Sequence, residues 1–306
     1  MQDVTDLAFM RVMHRFGGPD VYVTEYFRVH ADSRLEPRIL RSITENDTGR
    51  PVFAQLIGQD IPALVRTARE LEEHGVAGVD LNLGCPAPVV CRKDAGGGLL
   101  RNPDKIARIL EALREAVAGR FTVKTRVGYE SAEEFEVLLE VFGGCRIDAL
   151  TIHGRTVRER YQTPVHPECV RKAVEGLPCP VIANGNVVNV ATGRAYLERT
   201  GAAGLMIGRG AIRNPLIFDQ LRAAWGGVEP PLLRRCDLLS YIEHLYRETA
   251  AAHPNHDPDK QVQRMKKYLV YIVQGLEEAF EFQVRRVRDE PEFFAVCREF
   301  LESPEP

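Results

Sequence analysis

No stretch of this 306-residue chain reaches the roughly 20 consecutive uncharged apolar residues that a membrane-spanning helix needs. The N-terminus carries no basic, apolar and small-residue succession of the secretory kind. The seven cysteines, at 85, 91, 145, 169, 179, 236 and 297, form no Cys-x-x-Cys pair. That scatter argues against a disulfide framework and against a structural zinc site, and for reduced thiols in a cytoplasmic protein. An excess of positive charge is also missing: the formal net charge is −3, which alone does not suggest a nucleic-acid binder. What is present is an ordinary globular composition, 44% apolar and 27% charged, in a chain long enough for one large domain and a small one.

Short apolar runs alternate with longer amphipathic stretches. The runs are Val21–Tyr26, Pro51–Gly58, Gly78–Cys85, Phe121–Val127, Ala149–His153, Pro180–Asn184 and Gly204–Gly208. Each is bounded by Gly or Pro and rich in Val, Ile, Leu or Thr, as buried parallel strands are. Between them Pro62–Glu73, Pro103–Val117, Ala132–Phe142 and Val188–Arg199 read as helices, two of them with proline near the start, where its missing N–H is harmless. This alternation predicts an α/β fold, a (β/α)8 barrel, over residues 1–226. Seven strands are legible, and Thr5–Phe16 reads as a helix with no strand before it. The first strand is thus expected to be truncated, better explained by a start assigned several codons late than by a stub. After Gly226-Gly227-Val228-Glu229-Pro230-Pro231 the strands stop. Leu232–Ala252, Asp259–Gln274 and Glu277–Leu301 read as a small helical domain spanning 232–306.

In such a barrel the chemistry gathers at the C-terminal ends of the strands. There the sequence places Gln55, Asn82 with Cys85, Lys124 with Arg126, His153 with Arg155, Asn184-Gly185-Asn186 and Gly208-Arg209-Gly210. The glycines of the last two units suit a phosphate approached by backbone N–H groups, with Arg209 as a fixed cation; the plainer reading is a tight turn. Lys124 either pairs with an acid or faces an electron-rich ligand such as a flavin ring. His153 either bonds a ligand or satisfies a loop. Cys85 precedes the stiff Pro86-Ala87-Pro88 turn, which exposes its thiol as a proton donor. The other six cysteines read as small buried hydrophobes.

Leu81-Asn82-Leu83-Gly84-Cys85-Pro86-Ala87-Pro88, with Val123–Arg126, Ile152–Thr156 and Ile207–Gly210, resembles the tRNA-dihydrouridine synthase family. The likeness also takes in Val4-Thr5-Asp6, Thr24-Glu25, Lys93 and Gly96–Leu100, and it is strongest over residues 1 to 225. It implies FMN at the barrel mouth and NADPH as reductant, with hydride delivered to C6 of a uracil ring and a proton from Cys85 to C5. It further implies FMN contacts from Met1, Gln2, Gln55, Lys124, His153, Asn184, Gly185, Asn186, Gly208 and Arg209. Asn82 would orient the uracil, and Arg126, Arg155, Arg92 and Lys93 would meet substrate or tRNA. The family pattern has a strand ending Ala-Pro-Met ahead of Val4, of which only Met1 stands here, and an acid where this chain has Asn186. Val23–Val29 resembles the bacterial subclass acting on the 5′ side of the tRNA D-loop.

The tRNA would be held in part by the tail, where Lys260, Arg264, Lys266 and Lys267 fall on one helix and Arg285, Arg286 and Arg288 on the next. Residues 227–306 nevertheless hold 11 Lys/Arg against 15 Asp/Glu, a balance of −4, so any RNA-facing surface there must be local. The rival readings are an FMN barrel reducing a free pyrimidine, as dihydroorotate dehydrogenases handle, and a flavin-free RNA-binding relative. A metal-free monomer is expected.

Overall fold

A computed structural model describes residues 2–255 and 257–302 of the chain; Met1 lies outside the described residues. Among the described residues eight strands form one parallel sheet: β1 (Tyr22–Val23), β2 (Phe27–Arg28), β3 (Val52–Ile57), β4 (Gly78–Leu83), β5 (Phe121–Arg126), β6 (Ala149–His153), β7 (Val181–Asn184) and β8 (Gly204–Met206). The hydrogen-bonded order is β1-β3-β4-β5-β6-β7-β8, with β2 also on β3, and helices alternate with the strands. This is the expected (β/α) barrel-type fold. β3 and β4 are buried at every residue, which is why they read as unbroken apolar runs. Among the described residues no pairing joins β8 to β1, and residues 2–6 form turns.

The run Val21–Tyr26 is not one strand. Tyr22 pairs with Val52 and Val23 with Phe53, but Phe27 pairs with Leu56, so three residues of this strand oppose two of β3. Thr24–Tyr26 is therefore a β-bulge. Thr24 keeps the ladder closed by donating its N–H to Phe53 O and accepting from Gln55 N through Oγ1. Glu25 turns into the core, where Oε1 accepts from Val4 N (2.8 Å) and Oε2 from Arg38 (2.8 Å). The bulge thereby fastens the N-terminal segment to the sheet.

The tail is helical, in four pieces rather than three: Arg235–Ala252, Pro258–Ile272, Glu278–Val284 and Glu290–Leu301. The expected Glu277–Leu301 helix breaks because Asp289 caps a new one, accepting from Glu292 N, with Pro291 in its first turn. A proline there has no N–H to give and obstructs a helix arriving from before it. Arg285, Arg286 and Arg288 thus lie in the link between the third and fourth helices rather than on one. Helix Arg235–Ala252 packs on helix Leu7–Arg15, and Pro258–Ile272 on the short helix Arg209–Arg213 that follows β8. The tail consequently joins the elements flanking the two ends of the sheet. Phe16 meets Tyr241 edge-on at 5.5 Å, and Phe9 stacks on Tyr268.

Arg264 corrects the expectation of an outward basic stripe. Its helix buries Gln261, Val262, Met265, Tyr268 and Leu269, and Arg264 borders that face. It pairs with Asp6, the N-cap of Leu7–Arg15, and both side chains are nearly enclosed, at 10% and 7% exposure. Lys266 donates to Arg285 O, and Lys260 pairs with Asp257. Arg264→Ala leaves the Asp6 carboxylate buried without its partner and is expected to cost about 3–5 kcal/mol. Lys267→Ala, on the exposed side of the same helix, should stay within about 0.5 kcal/mol of the parent. Urea denaturation of both variants checks the contrast.

Candidate active site

The side chains expected at the strand ends converge through one buried relay. Asp80 on β4 accepts from Thr122 Oγ1 (2.6 Å) and from Gln55 Nε2 (2.8 Å). Gln55 Oε1 then accepts from Asn82 Nδ2 (2.8 Å), and Asn82 Oδ1 accepts the N–H groups of Gly84 and Cys85, each at 2.9 Å. The acid at one end thus sets which way both amides point, and the second amide fixes the turn carrying Cys85. Burial pushes the Asp80 carboxyl up, against the lowering influence of Thr122, Gln55 and Lys124.

Lys124 is half-buried beside this relay, and no hydrogen bond or ion pair holds its ammonium among the described residues. Burial and then Arg126 push it down to about 8, while Asp80 and Cys85 act in the opposite sense. His153, at the end of β6, is pushed far down by burial and then by Arg126, Lys124, Arg155 and Arg209, so its imidazole stays neutral. Its Nδ1 is buried with no partner among the described residues, as is Gln2 Oε1.

Two of the expected arginines lie beneath the rim rather than on it. Arg126 is 2% exposed and donates to Gly84 O (2.8 Å), Thr156 O (2.8 Å) and Arg160 O (3.0 Å). Arg155 is equally buried and donates to Thr163 O, leaving Nη1 without a partner among the described residues. Arg92 and Lys93 are exposed just past the short helix Pro88–Cys91.

After β7, Asn184 donates to Met206 O (2.7 Å), tying that strand end to β8. Gly185 has φ +133, a conformation that side chains rarely adopt, and Asn186 is exposed at φ +54. A Cβ at Gly210 would come 2.1 Å from Val187 O, so the loops after β7 and β8 touch backbone to backbone. Gly208 and Arg209 lie at this junction, and Arg209 has no acidic partner among the described residues.

Sequence reasoning passed over four residues of the site. Asp80 and Thr122 are polar groups inside apolar strands, a signal that was readable. Tyr26 is brought to Cys85 by the bulge; burial, then the neighbouring thiol, pushes its phenol up. Tyr161, half exposed, lies 4.1 Å below the Arg209 guanidinium and 5.4 Å from that of Arg126, edge-on to His153. The expectation that all cysteines but Cys85 are buried is corrected: Cys236 is exposed in the first turn of its helix, and Cys145 and Cys179 are partly exposed.

The dihydrouridine synthase family model matches residues 1–303. A protein of Cupriavidus necator named tRNA-dihydrouridine(16) synthase is 31% identical, covering 94% of this chain and 92% of its own. Its namesake in Pseudomonas putida is 32% identical over 91% of this chain and 88% of its own. In three dimensions the chain is similar to the old yellow enzyme homologue of Zymomonas mobilis, with a TM-score of 0.52 at 13% identity over 73% of this chain and 84% of that one. Morphinone reductase gives a TM-score of 0.52 at 13% identity, over 71% of this chain and 81% of its own. These two likenesses concern the fold.

The Lys124 amine is expected to titrate near pH 8, ammonium below and neutral above. Since Asp80 favours the charged form, Asp80→Asn should move that titration to lower pH. Chemical-shift titration of the lysine side-chain nitrogens measures both; a midpoint that stays put or rises in the variant contradicts the coupling.

Proposed function

The chain belongs to the dihydrouridine synthase family, and on that premise we propose that it reduces a uridine of tRNA to 5,6-dihydrouridine, with FMN bound at the strand ends and NADPH as reductant. The observation that carries this reading is the joint placement of Cys85 and Lys124 at one mouth, a thiol aimed by Asn82 beside an unpaired ammonium.

The residues fit a flavin mononucleotide. Lys124 and Arg209 are cations without ion-pair partners among the described residues, and Gly185, Gly208 and Gly210 let backbone approach closely where a phosphate would lie. Gln2, Gln55, His153, Asn184 and Asn186 surround that space in this reading, and Met1 belongs with them although it lies outside the described residues. When bound, FMN supplies the hydride for C6 of the uracil.

The protein's own part is positioning and proton transfer. Asn82 has both lone-pair directions of Oδ1 engaged by backbone and one Nδ2 hydrogen engaged by Gln55. Its second Nδ2 hydrogen is the one left to orient the uracil. Cys85 Sγ holds the proton that goes to C5 as C6 gains hydride, and the thiolate left behind recovers a proton from solvent. Below about pH 8 the Lys124 ammonium stabilises negative charge developing next to it. Arg126 acts as a positioning residue for both rim loops, and Arg155, Arg92 and Lys93 serve the substrate side.

The target is uridine 16, the position in the names of the relatives above. Residues 1–226 do the chemistry, and 232–306 help to hold the tRNA through exposed groups such as Lys267, Arg286 and Arg288. Extruding a stacked uridine costs a few kcal/mol, about what several phosphate contacts offset. The working unit is a cytoplasmic monomer without a metal.

Nucleoside mass spectrometry of dihydrouridine-free tRNA, incubated with the protein, FMN and NADPH, should show new dihydrouridine at position 16. Cys85→Ala should retain flavin but lower turnover by about 10²- to 10⁴-fold. Undiminished turnover in that variant removes Cys85 from its role. Reduction of a free pyrimidine with tRNA left untouched points instead to the small-molecule reaction.

A further inference from the structure

The strand-end site does not account for a cleft beside the turn that follows Cys85. It encloses about 280 Å³ between the Pro86–Arg92 segment and the loop of residues 157–162. Four guanidinium groups line it, from Arg92, Arg101, Arg158 and Arg160, around the ring of Tyr129. Arg101 lies 4.6 Å and Arg158 5.6 Å from the centre of that ring. Arg101 is further held by Cys91 O (2.9 Å) and Asp94 (2.7 Å), and Arg158 by Glu130 (3.0 Å). Arg92 and Arg160 have no acidic partner among the described residues. Four cations against two carboxylates leave the cleft with an excess of two positive charges.

We propose that this cleft is a phosphate subsite for the RNA strand beside the target nucleotide, an inference that rests on the tRNA reading above. Guanidinium forks match the paired oxygens of a phosphodiester, and the Tyr129 ring near two of them, with their carboxylate partners, helps hold those two in place before a ligand arrives. The volume falls near the lower end of the ~300–1,000 Å³ of small-molecule sites, room for a phosphate with its sugar rather than for a whole dinucleotide. Position agrees with chemistry. Pro86 in the cleft wall follows Cys85 directly, and a base turned out toward that thiol brings its own backbone to this edge of the mouth. The two cleft walls are the loops that Arg126 binds through Gly84 O and Arg160 O, so the subsite and the Cys85 turn are held by one side chain.

The test compares the flavin-loaded wild type with Arg92→Gln/Arg160→Gln and, separately, with Arg92→Glu. It measures tRNA dissociation constants across a salt series, the KM for NADPH, and flavin content. Loss of one phosphate contact should lower the slope of log K against log salt by about 0.7–0.9. Affinity should weaken about tenfold in the double variant, and at least as much on charge reversal, with flavin content and the KM for NADPH at wild-type values. Unchanged tRNA affinity and slope in both variants, while the wild type still forms dihydrouridine, overturns the subsite and leaves the functional reading standing. A raised KM for NADPH with unchanged tRNA affinity also overturns it, assigning the cleft to the reductant's phosphates. A wild type that neither binds nor modifies tRNA brings down both proposals.

Discussion

The arrangement of the site depends on one buried guanidinium. Arg126 stands at the end of β5 with almost no exposure, where a cation is tolerated only if its donors are satisfied. They are satisfied by carbonyls of the loops after β4 and β6, at Gly84, Thr156 and Arg160. Removing the guanidinium would orphan acceptors in both loops at once, so the Cys85 turn and the loop carrying Tyr161 are mechanically one unit. Its charge has a second effect. With Lys124, Arg155 and Arg209 it adds to the burial that holds His153 neutral, which leaves the imidazole a hydrogen-bonding group rather than a cation.

A different logic orients the other half of the mouth. Amide side chains are ambiguous donors and acceptors until a neighbour decides for them. Asp80 decides for Gln55, Gln55 for Asn82, and Asn82 for the N–H groups of Gly84 and Cys85. Order in this chain flows from a carboxylate inside β4 to the thiol at its end, through a residue of the neighbouring β3. The bulge at Thr24–Tyr26 belongs to the same construction. Its extra residue lets Thr24 serve the ladder while Glu25 reaches Val4 and Arg38, and it brings Tyr26 to the thiol.

What was legible in the sequence follows from which interactions are local. Strand ends were readable because apolar runs bounded by Gly and Pro have few other uses, and polar groups at the same end of successive runs must share a mouth. The break at Asp289-Glu290-Pro291 was also written locally, as a cap followed by a first-turn proline, and lay hidden inside an otherwise continuous helical pattern. The bulge was not readable, because a register shift exists only relative to a partner strand. Nor was the fate of Arg264: helical spacing shows that it borders the apolar face, but only the docked helix Leu7–Arg15 supplies Asp6. The arginine cleft draws on residues 92, 101, 158 and 160 from separate loops, and no spacing rule links them.

Charge is where the whole-chain view misleads most. A net −3, with an acidic tail, argues against a polyanionic partner if charge is taken as spread evenly. In the fold it is not. Tail cations such as Lys260, Arg264 and Arg285 are paired with carboxylates of the tail itself or of the N-terminal helix cap, and so contribute little field outward. At the strand-end rim, Lys124, Arg209, Arg92 and Arg160 lack such partners among the described residues. Unneutralised cations gathered around a recessed mouth focus potential there, since low-dielectric walls screen them less than open solvent does. A polyanion is therefore drawn to the mouth, with exposed tail cations such as Lys267, Arg286 and Arg288 as further contacts. On the proposed function, that distribution suits a protein that brings one segment of a long charged chain to the Cys85 thiol.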